Sequence, residues 1–183
     1  MEDGWLVYRT IHMHGTKKGF TLIEVLVVIA IIALLVSIVY PSLHQAMAAA
    51  KRTQCAANLH AVAVAFRMYL NQSYEIMPLA AQMPSLKLND NPRIADVLGP
   101  YLASPQSLKC PADTKDYYIS EGSSYEYQST LGGQKVSDSF LSKRWGEQRT
   151  PVMNDYKPFH GKAGTEGAMN FLFADGHVDD LIK

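Results

Sequence analysis

The chain has 183 residues and a formal net charge of zero, which gives room for one compact domain and an extension but not for two independent cores. Its basic residues are scattered and form no stripe able to neutralise a row of phosphates, so nucleic acid is excluded as a partner class. Mean hydropathy is near neutral, yet that average hides one very apolar stretch close to the start followed by a polar remainder.

The first nineteen residues read as a leader that ends in Thr16-Lys17-Lys18-Gly19. Lys17 and Lys18, with a small contribution from Arg9, bias the near end of the adjoining apolar segment toward the cytoplasm; Glu2 and Asp3 count for little in that tendency. From Phe20 to Tyr40 the sequence is FTLIEVLVVIAIIALLVSIVY, long enough to cross hydrocarbon as a helix. A signal-peptide core is usually shorter, about 7–15 apolar residues before a small-residue cleavage site. A buried helix of a soluble protein normally shows a polar face, and this run has no helical periodicity. The run is therefore read as a membrane-spanning helix, residues 20–40, with the C-terminal part of the chain on the far side.

Glu24 is the one charge inside that run. A carboxylate at the centre of a membrane helix costs about 2.5–3.5 kcal/mol on insertion scales. Either Glu24 sits close enough to the interface for water and headgroups to tolerate it, or a positive group supplied during assembly pairs with it.

The string Lys17-Lys18-Gly19-Phe20-Thr21-Leu22-Ile23-Glu24, with the apolar helix following at once, closely resembles the processing site of type IV prepilins and type II secretion pseudopilins. The resemblance implies that prepilin peptidase, a membrane-embedded aspartic peptidase, cuts between Gly19 and Phe20 and methylates the new amino terminus. It also implies a partner for Glu24: the terminal amine of Phe20, in the same or a neighbouring subunit. The leader is longer than the shortest prepilin leaders, and a start at Met13 would still leave a short basic one, His14 to Gly19.

Pro41 removes one backbone hydrogen bond and is expected to kink or loosen the helix, which continues over residues 41–72 in amphipathic form. Ala46 to Ala50 and Ala56-Ala57 favour helix, and Cys55, Leu59, Val62, Phe66 and Tyr69 recur every three or four residues. This stripe is expected to pack on the chain's own head. A helix from Phe20 to about Gln72 would be about 80 Å long at 1.5 Å per residue. Only its second half has a head to pack on, so lipid or sibling helices must cover the first.

Residues 73–183 form the expected exported head. Pro78, Pro84, Pro92, Pro100 and Pro105 break the first part into connecting structure, with room for a short helix from Ile94 to Leu102. Ser124–Ser129, Thr150–Asp155, Met169–Ala174 and His177–Ile182 are short, partly alternating and separated by turn residues, as strands are. Asp175-Gly176 predicts a two-residue hairpin turn between the last two. The fold class is α+β: a long helix, transmembrane and then amphipathic, on a small antiparallel sheet. Cys55 and Cys110 both lie on the expected exported side, where oxidation is permitted. A disulfide would staple helix to loop and add a few kcal/mol if their Cα atoms come within about 7 Å; two buried thiols are the alternative.

His160, Asp175, His177, Asp179 and Asp180 are potential ligands without a compact metal-binding spacing, so neither a metal site nor a cofactor is expected. The ending Asn170-Phe171-Leu172-Phe173-Ala174-Asp175-Gly176-His177-Val178 resembles the C-terminal signature of a pilin-like group common in planctomycete- and verrucomicrobium-type bacteria. There a histidine precedes the Asp-Gly pair by nine intervening residues; here His160 precedes it by fourteen. Arg52, Cys55, Asn58-Leu59, Tyr69 and Cys110-Pro111 fit that group's pattern too, which leaves residues 112–150 without distinctive support.

The resemblance implies a structural subunit whose partners are prepilin peptidase, other pilin-like subunits, the inner membrane and an ATPase-driven assembly machine. Two other classes compete. A single-pass hydrolase would use His160 or His177 with an acidic neighbour, but no nucleophile elbow, phosphate loop or paired-acid motif supports it, and Ser124 and Ser129 read as strand or turn residues. A membrane-tethered binding module would show itself by a ligand-sized pocket in the head.

Overall fold

The computed structural model describes residues 19–181. The chain divides into two compact units, Met1–Ser42 and Leu43–Lys183, and helix α1, Leu22–Gln72, belongs in part to each. Lys17 and Lys18, like the rest of the expected leader before Gly19, lie outside the described residues.

In the first unit, α1 is exposed from end to end. Ile23 is 68 % exposed, Leu34 61 % and Tyr40 61 %. Its most apolar 18-residue window has a mean hydropathy of 3.2 and no buried residue, which by length and composition suits a membrane crossing. A run so rich in valine and isoleucine would not choose a helix in water on propensity alone. In hydrocarbon every backbone N–H and C=O must find its partner within the segment, and that requirement selects the helix. The assignment runs unbroken through Pro41, one residue before the last of this unit.

In the second unit, α1 turns amphipathic as its spacing demands. Cys55, Leu59, Val62, Ala63 and Phe66 are buried while Val64 and Met68 on the other side are exposed. The buried side joins one core cluster with Met77, Leu98, Tyr125, Tyr127, Val152, Met153 and Leu172. Each sheet tyrosine brings a polar end into this core and has it satisfied. Tyr127 donates to the Pro78 carbonyl at 2.9 Å, Tyr125 to the Cys55 carbonyl at 3.4 Å, and Phe66 stacks on Tyr127 with centroids 5.9 Å apart. The helix ends where Tyr74 and Glu75 adopt φ of 53° and 65°. The Glu75 N–H then reaches back to the Leu70 carbonyl at 2.9 Å, a closure of the kind that usually places glycine in the left-handed position.

The sheet is a four-stranded antiparallel meander in the order β1-β2-β3-β4, comprising Tyr125–Tyr127, Pro151–Asp155, Phe171–Phe173 and Val178–Asp179. Tyr125 faces Asp155 across β1 and β2, and Leu172 faces Val178 across β3 and β4. A bulge lies between Pro151 and Met153. The expected α+β class, a long helix packed on a small antiparallel sheet, is what the structure has.

Three details differ from the sequence reading. The last hairpin closes through three residues, not two: Gly176 donates to the Phe173 carbonyl at 2.9 Å and Phe173 to the His177 carbonyl at 3.0 Å. In the loop Ala174-Asp175-Gly176 only the glycine has positive φ, 92°. This is the three-residue hairpin in which a glycine takes the left-handed position after a type I turn. The helix expected over Ile94–Leu102 is split into α2, Ile94–Leu98, and a tighter 3₁₀ turn, Gly99–Tyr101, because Pro100 supplies no N–H to continue the ladder. Either side of the expected strand at Ser124–Ser129, residues 112–150 also hold helices α3, Tyr117–Glu121, and α4, Phe140–Trp145, which the sequence reading did not anticipate.

Candidate functional site

At the start of the described chain, Gly19 and Phe20 precede the first helical residue. Among the described residues nothing lies within 4 Å of where a Gly19 Cβ would be, and Phe20 is 81 % exposed, so the peptide bond between them is open to approach. Thr21 caps the helix reciprocally with Glu24. The Thr21 N–H donates to Glu24 Oε2 at 2.8 Å, its hydroxyl donates to the same oxygen at 2.7 Å, and the Glu24 N–H reaches Thr21 Oγ1 at 3.4 Å. This is a capping box, Thr-x-x-Glu, and it satisfies donors that a helix N-terminus leaves open. Glu24 thus has local partners before any subunit supplies a positive charge. The signal stood in the sequence as Thr21 and Glu24 three residues apart, and the sequence reading passed over it.

In the head, Cys55 on α1 and Cys110 on the following loop are joined by a disulfide with Cα atoms 5.0 Å apart. Asn58, one turn further along α1, donates to the Lys109 carbonyl at 2.7 Å and pins the same loop. His160 lies beside this staple: its Nε2 is 3.6 Å from Cys110 Sγ and 3.5 Å from Asp155 Oδ2. Asp155, at the end of β2, accepts the Asn170 N–H at 2.7 Å and the Asn170 side-chain amide at 3.3 Å. The histidine that the sequence grouped with the Asp-Gly turn therefore has its partners elsewhere, on β2 and the cysteine loop. Asp175, Gly176 and His177 form a separate cluster. Asp175 Oδ1 and His177 Nδ1 are 2.5 Å apart, His177 stacks on Phe173 at 4.4 Å, and Arg67 on α1 donates to the Asp175 carbonyl. The hydroxyls of Ser124 and Ser129 are engaged by Asp113 at 2.7 Å and Gln82 at 3.3 Å.

The Asp155–His160 pair was not visible in the sequence, and its electrostatics are unusual. Both side chains are essentially without solvent contact, at 0 % and 1 % exposure. Burial pushes Asp155 from its ordinary 3.8 up to about 7, against the pull of the Asn170 bonds and Arg52. Burial, helped by Arg52, pushes His160 from 6.5 down to about 4. Taken alone, Asp155 contributes stability at low pH that is lost as pH rises through about 7, because the unfolded carboxyl ionises first. Taken alone, His160 contributes stability above its unfolded value that is lost as pH falls toward about 4. Between those limits the folded pair and the unfolded pair each hold about one proton, so the proton count of this pair barely changes on unfolding. The pair's own contribution to stability should be nearly flat over that window in the wild type. In His160→Gln it should fall as pH rises from about 4 to about 7, at up to about 1.4 kcal/mol per pH unit. Urea unfolding of the detergent-solubilised chain at several pH values measures this, and a flat profile in the variant would contradict it.

Residues 15–40 match the family model of the prokaryotic N-terminal methylation motif. The match covers Gly19, Phe20, Glu24 and the apolar half of α1. The chain therefore carries a type IV pilin-like prepilin segment, which implies processing by prepilin peptidase and assembly with other pilin-like subunits. No curated protein and no solved structure matches the chain.

Proposed function

We propose that this protein is a structural subunit of a type IV pilus-like filament or a type II secretion pseudopilus. Prepilin peptidase removes residues 1–19 by cutting after Gly19, and the amine of Phe20 is methylated. Residues 20–40 then hold the chain in the bacterial inner membrane, with the N-terminus on the cytoplasmic side and the head, residues 73–183, on the other. An assembly machine draws the subunit into a filament, where sibling helices replace lipid around the apolar half of α1. The observation that carries this reading is the methylation motif running directly into a helix whose apolar side chains over residues 22–43 are all exposed among the described residues. Monomeric soluble proteins rarely leave so large an apolar surface open. The test is fractionation: in cells that contain the peptidase, the protein should appear in sheared filaments or in cross-linked ladders of copies. In peptidase-deficient cells it should remain entirely in the membrane as single chains. Identical distributions in both strains would overturn the reading.

One observation favours a second role for the same exported head. A groove of about 790 Å³ is lined in part by Trp145, Arg149, Phe173, His177 and Leu181, a size typical of small-molecule sites. On that reading the chain is a membrane-tethered binding module that uses the pilin-like export route, and a specific ligand would persist when assembly is blocked.

A further inference from the structure

Between α4 and the last hairpin the head carries the groove of about 790 Å³, and the backbone beside it holds one wall in place. Trp145 ends α4, and Gly146 follows it with φ 81° and ψ 161°, a region of backbone space that in practice only glycine occupies. Among the described residues nothing lies within 4 Å of where a Gly146 Cβ would be, so conformation and not crowding calls for the glycine. The buried hydroxyls of Ser142 and Thr150 meet at 2.9 Å, and Thr150 donates to the Gly146 carbonyl at 3.0 Å. This clasp turns the chain back so that Gln148 and Arg149 line the groove together with Trp145. The opposite wall is fixed as well. His177 stacks on Phe173, and its Nδ1 is taken by Asp175, which leaves Nε2 for whatever enters.

The walls offer unused hydrogen-bonding capacity around an aromatic surface. Trp145 is 52 % exposed, and among the described residues neither its indole N–H nor the side chains of Gln148 and Arg149 have a hydrogen-bond or ion-pair partner. The two carboxylates of the lining are already engaged: Asp180 accepts the Gly167 N–H and Asp179 the Asp180 N–H. One guanidinium against two carboxylates gives the groove no excess of positive charge, which disfavours phosphorylated and other anionic ligands. An acyl chain would cover Gln148 and Arg149 without satisfying them, which costs free energy.

We propose that this groove binds a neutral saccharide, one sugar ring lying on the Trp145 indole with its hydroxyls engaged by Gln148, Arg149 and His177 Nε2. The C–H face of a sugar ring suits an aromatic surface. Its hydroxyls both donate and accept, so they answer a lining that holds donors on Arg149, an acceptor on His177 and both on Gln148. The proposal rests on the reading of the head as a binding module and names the ligand class; it holds whether the head stands alone at the membrane or repeats along a filament.

The test uses the full chain carrying Trp5→Phe, which leaves Trp145 as its only tryptophan, in a detergent without a sugar headgroup. Neutral oligosaccharides of glucose, galactose, mannose, xylose and N-acetylglucosamine are titrated while indole emission is recorded, with oligogalacturonate and a panel of neutral tripeptides in parallel. At least one neutral oligosaccharide should shift the emission saturably. Calorimetry with that sugar should show affinity at least about tenfold lower in Trp145→Ala and in Arg149→Ala. Phe140→Ala, which removes a 74 % exposed ring outside the groove, should bind like wild type. Unchanged melting temperatures check that these surface variants fold. No response to any neutral sugar, a preference for oligogalacturonate, or binding that survives Trp145→Ala would each overturn the proposal. If the tripeptides bind and the sugars do not, the saccharide falls while the binding-module reading stands; if no probe binds, both fall.

Discussion

Replacing Glu24 with valine should leave the protein in the membrane and nearly abolish its assembly. The apolar run around position 24 already satisfies the length and composition of a crossing, and removing its only charge makes insertion easier, by less than the about 2.5–3.5 kcal/mol a charge costs at a helix centre because Glu24 lies near one end. Assembly should respond in the opposite direction. A buried carboxylate paired with an amine loses about 3–5 kcal/mol when one partner is removed, and even 3 kcal/mol is about a hundredfold in an association constant. Because Glu24 also caps the helix with Thr21, the valine variant alone confounds capping with pairing. Glu24→Gln separates them: its amide oxygen still serves the capping box but carries no charge. Thr21→Ala removes the reciprocal hydroxyl, costs about 1 kcal/mol of helix stability, and keeps the charge. Quantified filament yield should therefore be low for both Glu24 variants and near wild type for Thr21→Ala. Normal yield for Glu24→Gln would show that only the cap matters.

Opening the Cys55–Cys110 bond should be the largest single loss of stability in the head. The bond closes a loop with a sequence separation of 55, and chain entropy alone assigns such a crosslink about 4 kcal/mol. For a unit of this size that corresponds to a fall in melting temperature of about 10 °C. Both cysteines are fully buried, so Cys110→Ser adds a buried hydroxyl to the cost and should match or exceed simple reduction. Thermal unfolding of the detergent-solubilised protein with and without reductant measures the effect, and a non-reducing gel should show a mobility change that disappears in the variant. A melting temperature indifferent to reductant would contradict this assignment.

Elements set by local pattern were readable in the chain before any coordinates. The membrane-length run, the stripe from Cys55 to Phe66 and the four short strands each follow from residues close together in sequence, and the strands fall within the ranges their alternation suggests. What escaped depends on contacts between distant segments. Helices α3 and α4 are five and six residues long, too short to be stable by propensity, so packing decides them. The turn at Asp175-Gly176 was recognised by its dipeptide, but its length is set by the register of β3 and β4, which the dipeptide does not encode. His160 was attached to that turn by resemblance to a spacing it does not keep. Its neighbours Cys110 and Asp155 were read as a loop cysteine and the last residue of a strand, and nothing in linear sequence joins them to a histidine five residues beyond the strand. The Thr21–Glu24 capping box is different in kind: Thr-x-x-Glu at the head of an apolar run is a complete local signal, legible without any distant contact.

Processing at the junction between Gly19 and Phe20, directly before the apolar helix, decides whether the chain becomes a pilin-like subunit. Mass spectrometry of the N-terminal peptide, from protein purified out of membranes that contain prepilin peptidase, tests it most directly. The expected result is a single terminus at Phe20 carrying one N-methyl group. A terminus at or before Gly19, with the peptidase present and active, would contradict it.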